Sequence, residues 1–160
     1  MRIRIGQGID FHQLVSDRDL WIGGIKIEHE KGALGHSDAD VLLHAICDAL
    51  LGALSLGDIG THFPDTSVDF KDIDSKILLE RSYRLIREKG YKVVNIDSTL
   101  LLEKPKIKPY VPAMREVIAR ILELPQDAVS IKATTMETMG FVGRGEGLSA
   151  HAVVLLQSTE

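Results

Sequence analysis

The stretch 128-AVSIKATTMETMGFVGRGEGLSAHAVVLLQ-157 decides the fold. Ala128 to Thr134 and Leu148 to Gln157 are short, apolar and partly β-branched, and they read as strands. The segment between them, Thr135 to Gly147, is glycine-rich and too short to carry a crossover helix. Two late strands joined by a loop exclude a uniformly alternating parallel α/β architecture.

Working outward, Tyr91 to Leu102 reads as a long strand and Val111 to Leu122 as a helix, with Pro105 and Pro109 between them. A helix is expected from Asp74-Ser75 to Gly90, with Ile77, Leu78, Leu85 and Ile86 on its buried face. The apolar run from Val41 to about Leu54 reads as a helix capped by Ser37 or Asp38, with Gly57 just past its end. Gly57 to Asp72 is a polar loop. Leu20 to Ile27 reads as a hairpin about Gly23-Gly24, and Arg2 to Ile9 as a strand. The order β, β, α, α, β, α, β, β points to an α+β sandwich, a ferredoxin-like mixed β-sheet with helices packed on one face. The strands look apolar on both faces, so the other sheet face is expected at a subunit interface.

The chain has 160 residues, 44% of them hydrophobic and 26% charged, which suits one globular domain over 1–160 and excludes a disordered chain. A net charge of -4 argues against general nucleic-acid binding. Cys47 is the single cysteine, so an intrachain disulfide and a multi-cysteine zinc site are both excluded, and a reducing compartment is the default. No apolar stretch reaches the roughly 20 residues needed to cross a bilayer, and residues 1–6 lack the apolar core of a signal peptide. The expectation is a cytoplasmic protein.

Asp10-Phe11-His12 closes the first strand, and residues i and i+2 share a strand face, so Asp10 and His12 can converge on one ion. His44, in the first helix, is a candidate third ligand. Two imidazoles and one carboxylate suit Zn²⁺ and leave a fourth position open, the pattern of a catalytic site. Asp40, four residues before His44, could fix its ring tautomer. Equally, Asp10 and His12 could be ordinary polar residues at a strand end, and His44 a satisfied core histidine.

Thr134 and Thr135 offer hydroxyls beside free backbone N–H groups, as phosphate oxygens require, with Lys132 and Arg144 as nearby cations. Glu137 fits such a site if a divalent cation lies between it and the phosphate. The same loop could also be a solvated surface turn. His36-Ser37 precedes a helix N-terminus, a second candidate anion site. Asp58 and Asp65 suit polyol hydroxyls but are also common turn residues.

Four ordered blocks carry a resemblance: Gly6-x-Gly8-x-Asp10-x-His12; His36-Ser37-Asp38-x-Asp40-x-x-x-His44-Ala45; Gly57-Asp58-Ile59-Gly60-x-x-Phe63-Pro64-Asp65; and Lys132-Ala133-Thr134-Thr135-x-Glu137-x-x-Gly140-Phe141-x-Gly143-Arg144-x-Glu146-Gly147. Together they resemble the 2-C-methyl-D-erythritol 2,4-cyclodiphosphate synthase family over nearly the whole chain. The resemblance implies a lyase of the non-mevalonate isoprenoid pathway. Its substrate would be 4-diphosphocytidyl-2-C-methyl-D-erythritol 2-phosphate, whose 2-phosphate attacks the β-phosphorus and expels CMP. It further implies Zn²⁺ on Asp10, His12 and His44, and a second cation, Mg²⁺ or Mn²⁺, at Glu137. His36 and Thr135 would stabilise the transition state. Substrate contacts would come from Ser37, Asp58, Ile59, Gly60, Phe63, Asp65, Lys132, Thr134, Phe141 and Arg144. Leu102, Glu103, Lys104, Pro105, Lys106 and Lys108 would hold the cytidine. The family is a homotrimer with active sites between subunits. An apolar cavity on its axis, near Phe141 and Arg144, would suit an isoprenoid diphosphate. Competing readings are a non-catalytic metal- or nucleotide-binding module and a zinc-dependent phosphohydrolase on the same fold.

Overall fold

The computed structural model describes residues 1–160. The elements run β1 (Ile3–Ser16), β2 (Leu20–Ile22), β3 (Ile25–Ile27), β4 (Lys31–Leu34), α1 (Val41–Ala53), α2 (Ile59–His62), α3 (Ser75–Glu88), β5 (Tyr91–Leu101), α4 (Val111–Ile121), β6 (Val129–Thr134), α5 (Gly140–Gly143) and β7 (Gly147–Ser158). Five strands form one sheet in the order β4-β1-β7-β5-β6, and β2-β3 is a separate hairpin. Only the β5–β6 pair is parallel, and α4 makes its crossover. The β6–β7 connection passes over the end of β5, which lies between those strands. This is the mixed sheet of an α+β fold.

Sequence expectation and structure differ at four places. β1 continues to Ser16, beyond Ile9, because Gln13 to Ser16 find partners in β4, a strand with no strong local signal. The loops expected at 57–72 and 135–147 contain the single-turn helices α2 and α5. On α3 the buried stripe is Leu78, Leu79, Ser82, Tyr83 and Ile86; Ile77 is exposed, since it shares its face with Arg81 and Arg84. Finally, neither Ser37 nor Asp38 caps α1. Ala39 takes a left-handed φ of 58°, so the helix starts only after it, and Asp40 is the cap, accepting from the Leu43 N–H.

α1 explains why the layers are so close. Eleven of its 13 residues are buried, so it needs cover all round, with the sheet on one side and α3 on another. Gly6 and Gly8 of β1 lie directly beneath it. A Cβ at Gly6 would stand 1.8 Å from the Ala49 carbonyl oxygen, and one at Gly8 would stand 1.9 Å from that of Ala45. Only glycine lets the helix backbone rest on the strand. The close approach brings His44, next to Ala45, within reach of Asp10, two residues past Gly8.

The helix-facing side chains of β5, β6 and β7, among them Ile96, Leu100, Val129, Ala152, Val154 and Leu156, belong to one buried core. The other face of the sheet leaves Ile3, Ile5, Ile9, Phe11 and Val153 at least 41% exposed. That is a contiguous apolar surface, since β1 and β7 are paired neighbours.

Candidate metal centre and adjoining cavity

Asp10 and His12 project from the same face of β1, and His44 descends on them from α1. The Asp10 Oδ2, His12 Nε2 and His44 Nδ1 atoms form a triangle with edges of 2.9, 3.1 and 3.2 Å. Bonds of about 2.0–2.1 Å at a tetrahedral ion set its ligand atoms about 3.3 Å apart. The three atoms therefore match one face of such a tetrahedron with small outward adjustment, and the fourth vertex is free for a substrate oxygen.

Each imidazole is held from behind. His12 Nδ1–H donates to the Leu34 carbonyl at 2.9 Å, so Nε2 is the free lone pair. His44 Nε2 lies 2.8 Å from Ser75 Oγ and 3.1 Å from Ser37 Oγ. Asp40 does not play the part expected of it. Its carboxylate accepts from the N–H groups of Gly23 (2.9 Å), Gly24 (2.7 Å) and Leu43 (3.1 Å), and so ties the β2–β3 hairpin to the start of α1. Burial raises the Asp40 carboxyl pKa, and the three N–H groups oppose that rise.

In the metal-free protein the three side chains pair with one another. Burial pushes the Asp10 carboxyl upward, but hydrogen bonds and charge from His12 and His44 outweigh it, and the net position is below the usual carboxylate range. Burial pulls His12 down, yet the Asp10 partner and the Leu34 carbonyl leave it raised.

The triangle opens on a cavity of about 380 Å³ whose wall includes His36, Ser37, Ile59, Gly60, Phe63 and Asp65. All six were singled out from the sequence. His36 Nε2–H donates to the Ser67 carbonyl at 3.1 Å, which fixes the ring on the cavity wall. Asp48 accepts from the Ile59 N–H at 2.7 Å and sets the position of α2. Asp58 caps α2, accepting from the Thr61 N–H and hydroxyl, and these bonds lower its pKa.

A second group of predicted residues lies elsewhere. Phe11 of β1, Ser149 of β7, Leu101 of β5 and Thr134 of β6 form one row across the sheet. Three inter-strand spacings of about 4.8 Å put Thr134 about 14 Å from β1. Thr135 donates to Glu137 at 3.2 Å, and Glu137 and Thr138 both hold left-handed φ values of 51° and 65°. Glu103 braces this loop by accepting from the Met136 N–H at 2.8 Å. Leu102 is buried in the core, while Lys104, Lys106 and Lys108 are exposed. Lys132 pairs with Asp97 on the sheet face, and Arg144 pairs with Glu146 at 2.8 Å. Phe141 packs on Phe11 with ring centroids 6.1 Å apart. One chain thus assembles the metal triangle and its cavity, but keeps the Thr134–Glu137 loop apart from them.

Sequence reading missed Ser75, Asp38 as more than a candidate cap, Asp48 and the Leu34 carbonyl. Ser75 is 31 positions from His44, and no spacing rule connects them.

Fold and site together define an α+β protein with an Asp-His-His cluster that could hold a metal ion, beside a cavity. The chain belongs to the YgbB family, whose pattern matches residues 3–157. It is 63% identical over 155 residues to the 2-C-methyl-D-erythritol 2,4-cyclodiphosphate synthase of Chloroherpeton thalassium, covering 97% of this chain and 99% of that one. Among solved structures, the bifunctional IspDF from Campylobacter jejuni superposes with a TM-score of 0.94 at 41% identity; the match covers 98% of this chain and 42% of that longer protein. A CDP-bound 2C-methyl-D-erythritol-2,4-cyclodiphosphate synthase superposes at 0.89 with 38% identity, covering 96% of this chain and all of the other.

Proposed function

We propose that the chain converts 4-diphosphocytidyl-2-C-methyl-D-erythritol 2-phosphate to 2-C-methyl-D-erythritol 2,4-cyclodiphosphate and CMP, as a lyase of the non-mevalonate isoprenoid pathway. The observation that carries this is the open Asp10–His12–His44 triangle facing the cavity, in a chain that aligns end to end with proteins named for that reaction. One oxygen of the 2-phosphate forms a bond to the β-phosphorus. The bond from that phosphorus to the α-bridging oxygen breaks, and CMP leaves with its electron pair. No oxidant is needed. No general base is needed either, because the attacking oxygen is already ionised.

Two imidazole nitrogens and a carboxylate are the donor set of Zn²⁺, so Asp10, His12 and His44 would hold zinc, and Glu137 would hold Mg²⁺ or Mn²⁺. Bound there, the two cations would neutralise the facing phosphates and polarise the phosphorus centre. The protein's own groups do the positioning, which is most of what phosphoryl transfer requires. His36 and Thr135 would stabilise the charge that builds on the phosphoryl oxygens once their hydrogens are released from the Ser67 carbonyl and the Glu137 carboxylate. Ser37, Asp58, Gly60 and Asp65 offer hydrogen bonds to the methylerythritol, and Ile59 and Phe63 exclude water beside it. The segment Leu102 to Lys108, with Lys132 and Thr134, takes the cytidine diphosphate end.

The separation of about 14 Å between β1 and Thr134 supports a homotrimer, in which the Thr134–Glu137 loop of one copy closes the metal cavity of its neighbour. The exposed Ile3, Ile5, Ile9, Phe11 and Val153 face would be the buried centre of that assembly. An isoprenoid diphosphate would bind on its axis, with Phe141 against the chain and Arg144 at the phosphates. No helix is long and apolar enough to cross a membrane, in keeping with a cytoplasmic single-domain enzyme.

The test is incubation with the CDP-linked substrate and Mg²⁺. CMP and a cyclic diphosphate should appear together, and CMP with only a linear product would refute the reading. Glu137→Ala should lose turnover while still taking up zinc.

A further inference from the structure

We propose that Ser75 and Asp38 set the ring tautomer of His44 and so present its Nδ1 lone pair to the metal. The proposal deepens the metal reading above and rests on it. Ser75 is the first residue of α3 and fully buried, and Asp38 lies on the strand-to-helix turn before α1. The Ser75 hydroxyl donates to Asp38 Oδ1, and the Ser75 N–H donates to Asp38 Oδ2 at 2.9 Å. A carboxylate accepts and does not donate, so it takes the only proton Ser75 has to give. Ser75 Oγ can then act only as an acceptor in its 2.8 Å contact with His44 Nε2. For that contact to be a hydrogen bond Nε2 carries the hydrogen, and the lone pair of the neutral ring is then on Nδ1. Ser37 Oγ, at 3.1 Å, keeps its own proton and can either accept from that N–H or donate to a bare Nε2, so Ser75 is the group that decides.

The opposite tautomer is a real competitor. His44 Nδ1 lies 3.1 Å from the Asp10 carboxylate, which would accept an Nδ1–H readily in the metal-free protein. That hydrogen would occupy the lone pair a metal needs. The Ser75–Asp38 pair pulls the proton to the far side of the ring. It acts through His44 and touches no substrate, so both are positioning residues.

The experiment measures zinc affinity by chelator competition on the native protein, Ser75→Ala and Asp38→Asn. It also records nitrogen-15 spectra of the metal-free histidines at mildly alkaline pH. Ser75→Ala should weaken zinc binding by about 10- to 100-fold, the usual effect of losing an outer partner of a metal-bound histidine. Its metal-free spectrum should show the His44 hydrogen shifted toward Nδ1. Asp38→Asn, whose amide can turn a donor toward Ser75, should move both readouts the same way by less. Native affinity and a native Nε2–H signal in both variants would overturn the proposal. So would weakened zinc binding with an unchanged tautomer, which would make the pair merely structural. If the native protein took up no zinc, the metal reading would fall, and the metal-free spectra would still decide the tautomer.

Discussion

Gly8→Ala tests the link from packing to chemistry. The added Cβ would stand 1.9 Å from the Ala45 carbonyl oxygen, whereas real Cβ atoms keep at least 3.0 Å. The obstacle is helix backbone, so it cannot rotate aside, and α1 must retreat by about 1.1 Å. Overpacking of this kind costs about 1–3 kcal/mol. His44 is adjacent to Ala45 and moves with it. Its edges to Asp10 and His12, now 3.1 and 3.2 Å, would lengthen to about 4.2 Å. A tetrahedral ion spans about 3.3 Å between ligands, so His44 can no longer share it with the strand pair. Zinc affinity should fall by about 100-fold or more, beyond the effect of an outer-partner loss. Gly52→Ala is the control on the same helix: its nearest neighbour is 3.8 Å away, and alanine there should stabilise by about 0.5–1 kcal/mol. Chelator competition and urea unfolding read both quantities. Gly8→Ala with native zinc affinity would refute the argument that glycine sets the ligand geometry.

Other expectations follow from the same structure. Asp40→Ala strips the acceptor from three buried N–H groups and should cost about 3 kcal/mol in urea unfolding; a loss below about 1 kcal/mol would contradict its role as the tie between hairpin and helix. In the metal-free protein, the lowered Asp10 contributes stability above its ordinary 3.8 that is lost as pH falls through its folded value. The raised His12 contributes stability below its ordinary 6.5 that is lost as pH rises through its folded value. The stability difference between native and Asp10→Asn should therefore peak between those two pH values, and a flat difference would be inconsistent with the pairing. Burial pushes the Cys47 thiol up to about 12, so a thiol reagent at neutral pH should label only the unfolded chain.

Much of this was legible in residue order because the signals are local. Alternation marks the start of β1, a short apolar run marks β7, and the all-apolar run marks α1. The i, i+2 spacing of Asp10 and His12 gives a shared strand face without any tertiary knowledge. What escaped is set by partners distant in sequence. β4 exists because Gln13 to Ser16 need hydrogen-bond partners, and Lys31 to Leu34 carry no strong β pattern of their own. Asp40 looked like a tautomer guide for His44 because the two share a helical face. Gly23 and Gly24, on the β2–β3 turn, claimed its oxygens instead. Ser75 took over that work from the start of another helix.

The central claim is an intramolecular phosphoryl transfer at a metal face, and an isotope measurement tests it most directly. The native protein, loaded with zinc and Mg²⁺, is supplied with the CDP-linked substrate in water enriched in oxygen-18, and the phosphate products are weighed by mass spectrometry. The account predicts a cyclic diphosphate without solvent oxygen beside unlabelled CMP. A linear 2,4-bisphosphate carrying one solvent oxygen would contradict it and make the open metal position a site of water activation.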